Sequence, residues 1–171
     1  MITLGIDPGT AITGYGVIQE EQDGSLFVLD YGVVRTKADR SQAERLVQLY
    51  QQIKKLLLLH QPDTGAVERL FFERNVRTAL NVGQARGVTL LAMAEQGVKI
   101  SEYTPMEVKQ AVAGYGGADK SQVQQMVKTI LGLKAIPHPD DAADALAVAI
   151  CHIHSMKMRD LYKSGGSLGS E

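Results

Sequence analysis

Residues 2–18 read ITLGIDPGTAITGYGVI, and this pattern indicates two β-strands joined by a tight turn. One apolar run leads to Asp7 and stops at Pro8-Gly9, and a second apolar run follows Thr13-Gly14. Pro and Gly interrupt strands and favour turns, so we expect a hairpin here. A carboxylate held at the rim of a sheet can bind a hard cation. The alternative is an Asp that merely opens a Pro-Gly turn, which is common.

The composition is that of an ordinary globular chain, with 171 residues, 44% hydrophobic, 22% charged and a net charge of −1. This size suits a single domain. The charge argues against a uniformly basic nucleic-acid-binding protein, but it leaves room for a local basic patch. The single cysteine, Cys151, excludes an internal disulfide and fits the reducing cytoplasm. No apolar run approaches the roughly 18 residues that span a bilayer. We therefore expect a cytoplasmic protein without membrane contact.

Hydrophobic periodicity predicts an α/β fold with a five-stranded mixed sheet flanked by helices. The first three strands would form an antiparallel meander, and helical crossovers would lead to the other two. We expect one domain over residues 1–158 and a disordered Gly/Ser-rich tail over 159–171. The predicted strands cover 2–7, 14–19, 26–35, 65–68 and 98–103, and the predicted helices cover 41–60, 75–96, 105–112, 121–131 and 140–158.

Three further acids lie at sequence positions suited to a metal site. Asp141 and Asp144 are three residues apart in the first turn of the last helix, on one face, where they repel each other. Glu68 ends the fourth strand, and if the last helix crosses the sheet, all three can meet Asp7. Four carboxylates without thiolates or paired histidines suit Mg²⁺ or Mn²⁺ better than Zn²⁺. Capping of the helix amino terminus is the alternative, which we prefer for Asp140 alone.

Several segments, in order and spread over residues 2 to about 154, resemble the RuvC family. These are the bacterial Holliday-junction resolvases of the ribonuclease H-like superfamily. Each segment is short, and their combination makes the resemblance specific. The segments are GIDPGT (5–10), TGYG (13–16), VE (67–68), GQARG (83–87), KSQVQ (120–124) and DAADALA (141–147).

The resemblance implies a homodimeric endonuclease that nicks two opposed strands of a four-way DNA junction during recombination and repair. It implies Mg²⁺ as cofactor, two ions per active site, with Mn²⁺ able to substitute. It also implies T-rich cleavage sequences and the RuvA–RuvB branch-migration complex as a partner. The family's catalytic, metal-binding acids correspond to Asp7, Glu68, Asp141 and Asp144, and its DNA-binding residues correspond to Phe71, Lys109 and Lys120.

Each of these DNA-binding residues also has a purely structural interpretation. Phe71 and Phe72 could both be core residues, although the resemblance assigns Phe71 to stacking on a junction base and leaves Phe72 to the core. Any one lysine is by default solvated surface. The local charge nevertheless favours a basic patch, since residues 69–134 contain nine basic side chains (69, 74, 77, 86, 99, 109, 120, 128, 134) and five acidic ones (73, 95, 102, 107, 119).

The helical segment 75–96 carries Gly83 and Gly87 one turn apart, with Leu80, Leu90, Leu91 and Ala94 along the same broad side. Glycines so spaced permit close approach of another backbone. A helix buried within the monomer is the alternative, and the resemblance assigns this helix to a two-fold dimer contact.

Two other functions fit part of the pattern. GIDPGT (5–10) also looks like the phosphate-binding turn of sugar kinases and actin-like ATPases, but those proteins need two such domains and this chain has one copy. The other is a non-catalytic junction-binding module, against which four intact carboxylates argue. Assays of ATP hydrolysis and of junction nicking in Mg²⁺ distinguish the endonuclease, the ATPase and the non-catalytic binding module.

Overall fold

The computed structural model describes residues 1–69 and 76–165, with side chains described in the second range from 78 to 162. Its five strands form one sheet in the order β3-β2-β1-β4-β5. The pairs β1–β2 and β2–β3 are antiparallel, whereas β4 is parallel to both β1 and β5. The predicted meander and crossovers are therefore confirmed. The strands are β1 (Ile2–Asp7), β2 (Ile12–Glu20), β3 (Leu26–Arg35), β4 (Thr64–Glu68) and β5 (Lys99–Tyr103).

The helices begin at local signals that the sequence contains. Ser41 caps the first helix, and with Glu44 it forms the predicted capping box, while Thr104 and Asp119 cap the third and fourth helices in the same way. The described residues form α1 (Gln42–His60), α2 (Val76–Glu95), α3 (Pro105–Ala113), α4 (Lys120–Ile130) and α5 (Asp140–Gly165).

Helix α5 continues well past its predicted end at Met158. Residues 159–165, which the sequence assigned to the tail, extend the helix to Gly165. The reason is local, because residues 157–163 contain no Gly or Pro and the first helix breakers are Gly165-Gly166. Residues 166–171 lie outside the described residues, and the division into a nuclease domain and a tail stays a prediction.

The sheet separates two hydrophobic clusters. On one face, Ile18, Ala66 and Tyr103 pack with α3, α4 and α5. On the other face, alternate residues of the same strands, such as Leu4 and Val67, pack with α1 and α2. No helix in the described part of the chain is long and apolar enough to cross a membrane.

Glycines on the strands let α5 lie directly against the sheet. A Cβ atom on Gly14 would lie 1.9 Å from the Asp141 carbonyl oxygen, and one on Gly5 would lie 2.2 Å from the Ala145 carbonyl oxygen. Both distances are far below van der Waals contact, so only glycine fits. Glycine inside a strand marks such close backbone approach. The amino-terminal end of α5 is thereby seated over Gly14.

Candidate active site

Asp7 is the last residue of β1, on the face that Gly5 turns toward α5. The turn that follows is held by Thr13. The Gly9 N–H donates to Thr13 Oγ1 at 3.2 Å, and the Thr13 hydroxyl donates to the Gly9 carbonyl at 2.6 Å. These bonds fix the chain just beyond Asp7, and its carboxyl group stands at the rim of the sheet as predicted.

Glu68 lies beside Asp7 because of the parallel register of β1 and β4. Gly5 pairs with Ala66 and Ile6 pairs with Val67, so Asp7 and Glu68 come next in step and on the same face. Their side chains are hydrogen bonded to each other. Since both groups are acids, this bond requires a proton between them.

Helix α5 supplies the other two carboxylates. Asp141 sits over Gly14, and Gly14 is the β2 partner of Asp7. Asp144 follows one helical turn later. The charges of Glu68, Asp144 and Asp141 all act on Asp7. The structure thus brings together the predicted acidic cluster, which we define as Asp7, Glu68, Asp141 and Asp144.

The acidic cluster resists full ionisation. Burial, followed by the charges of Glu68, Asp144 and Asp141, raises the pKa of Asp7 to about 8. Burial also raises the pKa of Glu68, against the hydrogen bond from Asp7 and the charges of nearby lysines. The pKa of Asp144 is raised as well, mainly by burial. At neutral pH, the cluster therefore retains a proton on Asp7 when no cation neutralises it.

Two lysines share a cleft of about 200 Å³ with Glu68 and Asp144. Lys120, in the first turn of α4, places its Nζ 3.0 Å from Asp144 Oδ2 and 3.4 Å from Asp140 Oδ2. Lys109 of α3 lines the same cleft, and its charge acts on Glu68. The cleft therefore joins carboxylates to cations that could hold a phosphate group.

The donor set of the acidic cluster fits a hard divalent cation, because it consists of carboxylate oxygens only. Within residues 1–69 and 76–165, no three His, Cys, Asp or Glu side chains already form a ready-made metal site. Burial and the neighbouring charges favour a protonated Asp7 beside Glu68, and the Lys120 ammonium group lies 3.0 Å from Asp144. The proton and the ammonium group occupy positions where a cation would neutralise the same charge, so the cluster has the chemistry of a metal site.

Comparison with known proteins shows the family of this chain. The family model described as crossover junction endodeoxyribonuclease RuvC matches residues 3–152. The chain belongs to the RuvC family. A RuvC of Desulfitobacterium hafniense (strain DSM 10664 / DCB-2) is 57% identical over 98% of this chain and 100% of its own length. A RuvC of Roseiflexus sp. (strain RS-1) is 58% identical over 91% of this chain and 92% of its own length.

Solved structures of RuvC from Thermus thermophilus have the same fold. One is 41% identical with a TM-score of 0.86, and it covers 92% of this chain and 96% of that chain. Another, in complex with a Holliday junction substrate, is 38% identical with a TM-score of 0.85 and the same coverage. The yeast mitochondrial resolvase Ydc2 shares the fold at 16% identity and a TM-score of 0.68, covering 95% of this chain and 83% of that chain. The predicted ribonuclease H-like fold is confirmed.

Some residues singled out from the sequence lie outside the described residues or away from the acidic cluster. Phe71 and Phe72 lie outside the described residues, so the stacking role of Phe71 stays a prediction. Cys151 is buried and burial raises the pKa of its thiol to about 12, as expected of a core residue. The contact of Lys120 with Asp144 was not foreseen, because nothing in sequence spacing relates α4 to α5.

The sequence alone does not explain why the RuvC segments TGYG (13–16) and GIDPGT (5–10) contain glycines inside strands. Gly5 and Gly16 face each other in the β1–β2 pair, and Gly14 follows on the same face. Strand glycines at alternate positions were the available signal, because they remove side chains from one face of the sheet. They let α5 lie close enough to the sheet to place Asp141 near Asp7.

Proposed function

We propose that this chain is a crossover junction endodeoxyribonuclease that resolves Holliday junctions by paired, metal-dependent nicks in two opposed strands, in homologous recombination and DNA repair. The observation that carries the proposal is the convergence of four carboxylates, two of which share a cleft with Lys109 and Lys120, in a RuvC-family fold. The fold holds these groups on rigid strands and helices, which suits a site that must position a phosphodiester.

We propose that the acidic cluster holds Mg²⁺, two ions per site, with Mn²⁺ able to substitute. Bound there, the ions would activate water and stabilise the leaving oxygen of a phosphodiester. Asp7 and Glu68 supply oxygens from the sheet, and Asp141 and Asp144 supply them from α5. Lys109 and Lys120 would bind the phosphates next to the scissile bond, Lys120 exchanging its contact with Asp144 for one with DNA.

The proposal is tested with purified protein on a mobile four-way junction and on a linear duplex of the same sequence. We expect paired nicks in two opposed strands of the junction, dependent on Mg²⁺, with no ATP hydrolysis. Glu68→Gln should lose cleavage but keep junction binding, whereas the exposed control Glu21→Gln should behave as the wild type. Equal cutting of junction and duplex, or near-normal nicking by Glu68→Gln, would contradict the assignment.

Binding of junction DNA is expected to weaken steeply with salt, although the chain is weakly acidic overall. The reason is that phosphate contacts by Lys109 and Lys120 release counterions from DNA. Replacing either lysine by alanine should flatten the slope of log K against log salt by about one unit or less. Lys55→Ala, at an exposed position of α1, is the control and should leave the slope unchanged. A salt-independent affinity would refute the basic patch.

We propose a homodimer in which α2 forms the shared face. Leu80 and Leu91 are 62% and 55% exposed, although they are large apolar side chains. Within the described residues, a Cβ atom on Gly83 or Gly87 would meet nothing within 4 Å. Contacts inside the described chain therefore do not explain why these two positions are glycine. Leu90, by contrast, packs against the core of the chain itself. Glycine in a helix costs stability, and close contact with a second copy would explain its use.

Gly87→Leu is expected to drive the protein toward monomer or aggregate and to abolish paired nicking, even with all four acids present. A bulky side chain would separate two helices that touch through glycine. Sedimentation together with a cruciform-plasmid assay measures both effects. The control Gln51→Leu adds the same side chain at an exposed position of α1 and should change neither the oligomeric state nor paired nicking. A monomeric wild type that still linearises the plasmid would exclude the dimer.

RuvA and RuvB, the branch-migration complex, are the protein partners we propose. Family membership supports this, because the chain matches the RuvC model over residues 3–152. Co-purification of the three proteins on a synthetic junction, with the junction alone as reference, tests whether this chain joins such a complex.

A further inference from the structure

His152 is the one buried polar side chain of α5 among the side chains described, with 2% of its surface exposed. It lies eleven residues beyond Asp141, which is about three helical turns, so both face the sheet. Its hydrogen-bond partners lie on β4 and β5, the two strands on the opposite side of β1 from β2 and β3. Nε2 lies 2.8 Å from Thr64 Oγ1 on β4, and Nδ1 lies 2.9 Å from the Tyr103 hydroxyl on β5.

The Lys99 carbonyl can only accept a hydrogen bond, and this fixes the direction of every bond in the chain from Tyr103 through His152 and Thr64 to Lys99. Thr64 donates its hydroxyl proton to the Lys99 carbonyl at 3.1 Å, so it accepts from His152 Nε2. Nδ1 is then the acceptor of the Tyr103 hydroxyl proton. Burial lowers the pKa of His152 to about 4, with the charge of Arg159 acting in the same direction, and the neutral ring has the one donor and one acceptor that this chain uses.

The same partners are tied to Glu68. Tyr103 pairs with Glu68 in the β4–β5 register, and its carbonyl accepts the Arg69 N–H at 2.7 Å, directly after Glu68. Thr64 begins the strand that Glu68 ends. His152 therefore connects the helix of Asp141 and Asp144 to both strands that define the position of Glu68.

The position of α5 on the sheet needs directional contacts of the kind that His152 makes. Where α5 crosses β1, the contact is glycine against alanine, Gly5 against Ala145 and Ala149, and it offers few side chains to interlock. Smooth surfaces set the distance between helix and sheet, but they set the position along the helix axis less well. Hydrogen bonds are directional, and an apolar side chain of similar size would fill the same space without them.

We propose that His152 is a positioning residue, whose bonds to Thr64 and Tyr103 fix α5 along the β4–β5 pair and so set the spacing between Glu68 and the two aspartates that would share a divalent cation. The inference rests on the proposed function, because it concerns the same acidic cluster. It predicts that loss of the bonds weakens cation binding by the protein, not binding of junction DNA.

The test measures the Mg²⁺ concentration at half-maximal thermal stabilisation and at half-maximal cleavage. His152→Leu should raise both by about tenfold, the usual effect of removing a group that orients metal ligands. Junction affinity in EDTA should stay within about twofold of wild type. Thr64→Val and Tyr103→Phe, which each remove one bond to His152 and keep the shape, should give smaller shifts. His152→Gln restores one donor and one acceptor and should recover part of the affinity.

Ile153→Val is the matched control, because Ile153 is the fully buried neighbour on α5 and the change removes only packing. Unchanged Mg²⁺ midpoints in Thr64→Val and Tyr103→Phe, or an equal shift in Ile153→Val, would overturn the positioning role. If wild type binds Mg²⁺ without cutting junctions, the proposed function fails, and the thermal midpoints still decide the role of His152.

Discussion

Asp7→Asn is expected to abolish junction cleavage and, in the absence of divalent cations, to raise the melting temperature at neutral pH. Cleavage should fall by about a thousandfold or more, as when a group at the centre of an electrostatic site is lost. The gain in stability has a separate cause. The wild-type cluster buries an acid whose pKa lies at about 8, and the amide carries no ionisable proton.

The sign of the pH dependence follows from the two pKa values of Asp7. Below its ordinary value of 3.8, the group is protonated in both the folded and unfolded chains. Between 3.8 and about 8, the unfolded chain loses the proton while the folded one retains it. The free energy of unfolding then falls by about 1.4 kcal/mol per pH unit from this group. The stability advantage of Asp7→Asn over wild type should therefore grow across this range and level off above pH 8.

Differential scanning of wild type and Asp7→Asn from pH 5 to 8, in EDTA and in Mg²⁺, measures these effects. Mg²⁺ should stabilise the wild type more than the variant, because the cation replaces the proton on the acidic cluster. Asp39→Asn, in an exposed loop, is the control and should follow the wild type. An Asp7→Asn protein that cleaves normally, or one less stable than wild type at pH 8, would contradict the assigned environment of Asp7.

The sequence could predict those parts of the site that depend on local pattern. Asp7 follows an apolar alternation that stops at Pro8-Gly9, and Glu68 ends the short strand that the parallel register sets beside it. The stacked pair at the start of α5 follows from its spacing. Strand ends and helix starts are encoded within a few residues, and such features are recognisable in a single chain.

Contacts between distant elements could not be predicted in this way. His152 bonds to side chains 88 and 49 residues away along the chain, and Lys120 reaches Asp144 from another helix. These contacts depend on the axial position and rotation of α5, which arise only after packing. Resemblance to a family implied Lys120 as a DNA-binding residue, but its contact with Asp144 of the acidic cluster is visible only in three dimensions.

Gly14→Ala is expected to show how the seat of α5 governs the site. The new Cβ would lie 1.9 Å from the Asp141 carbonyl oxygen and 2.5 Å from its carbon, both backbone atoms that cannot rotate away. Relief requires the amino-terminal end of α5 to move by about 1 Å, and misplacement of that size costs about a hundredfold in rate. The overpacking should also cost about 1–3 kcal/mol of stability.

Gly16→Ala is the matched comparison, two residues along the same strand and on the same face. Its Cβ would lie 2.7 Å from Leu146 Cδ2 and 2.8 Å from Cγ, which are side-chain atoms, and 3.0 Å from the Leu146 Cα, so the backbone of α5 would have to move less than over Gly14. We expect a similar loss of stability but a much smaller loss of cleavage and of Mg²⁺ affinity, because Leu146 holds no cation. Melting temperatures, Mg²⁺ midpoints and single-turnover cleavage of both variants separate packing from positioning. Equal loss of cleavage in the two variants would mean that the position of Asp141 over Gly14 does not limit the reaction.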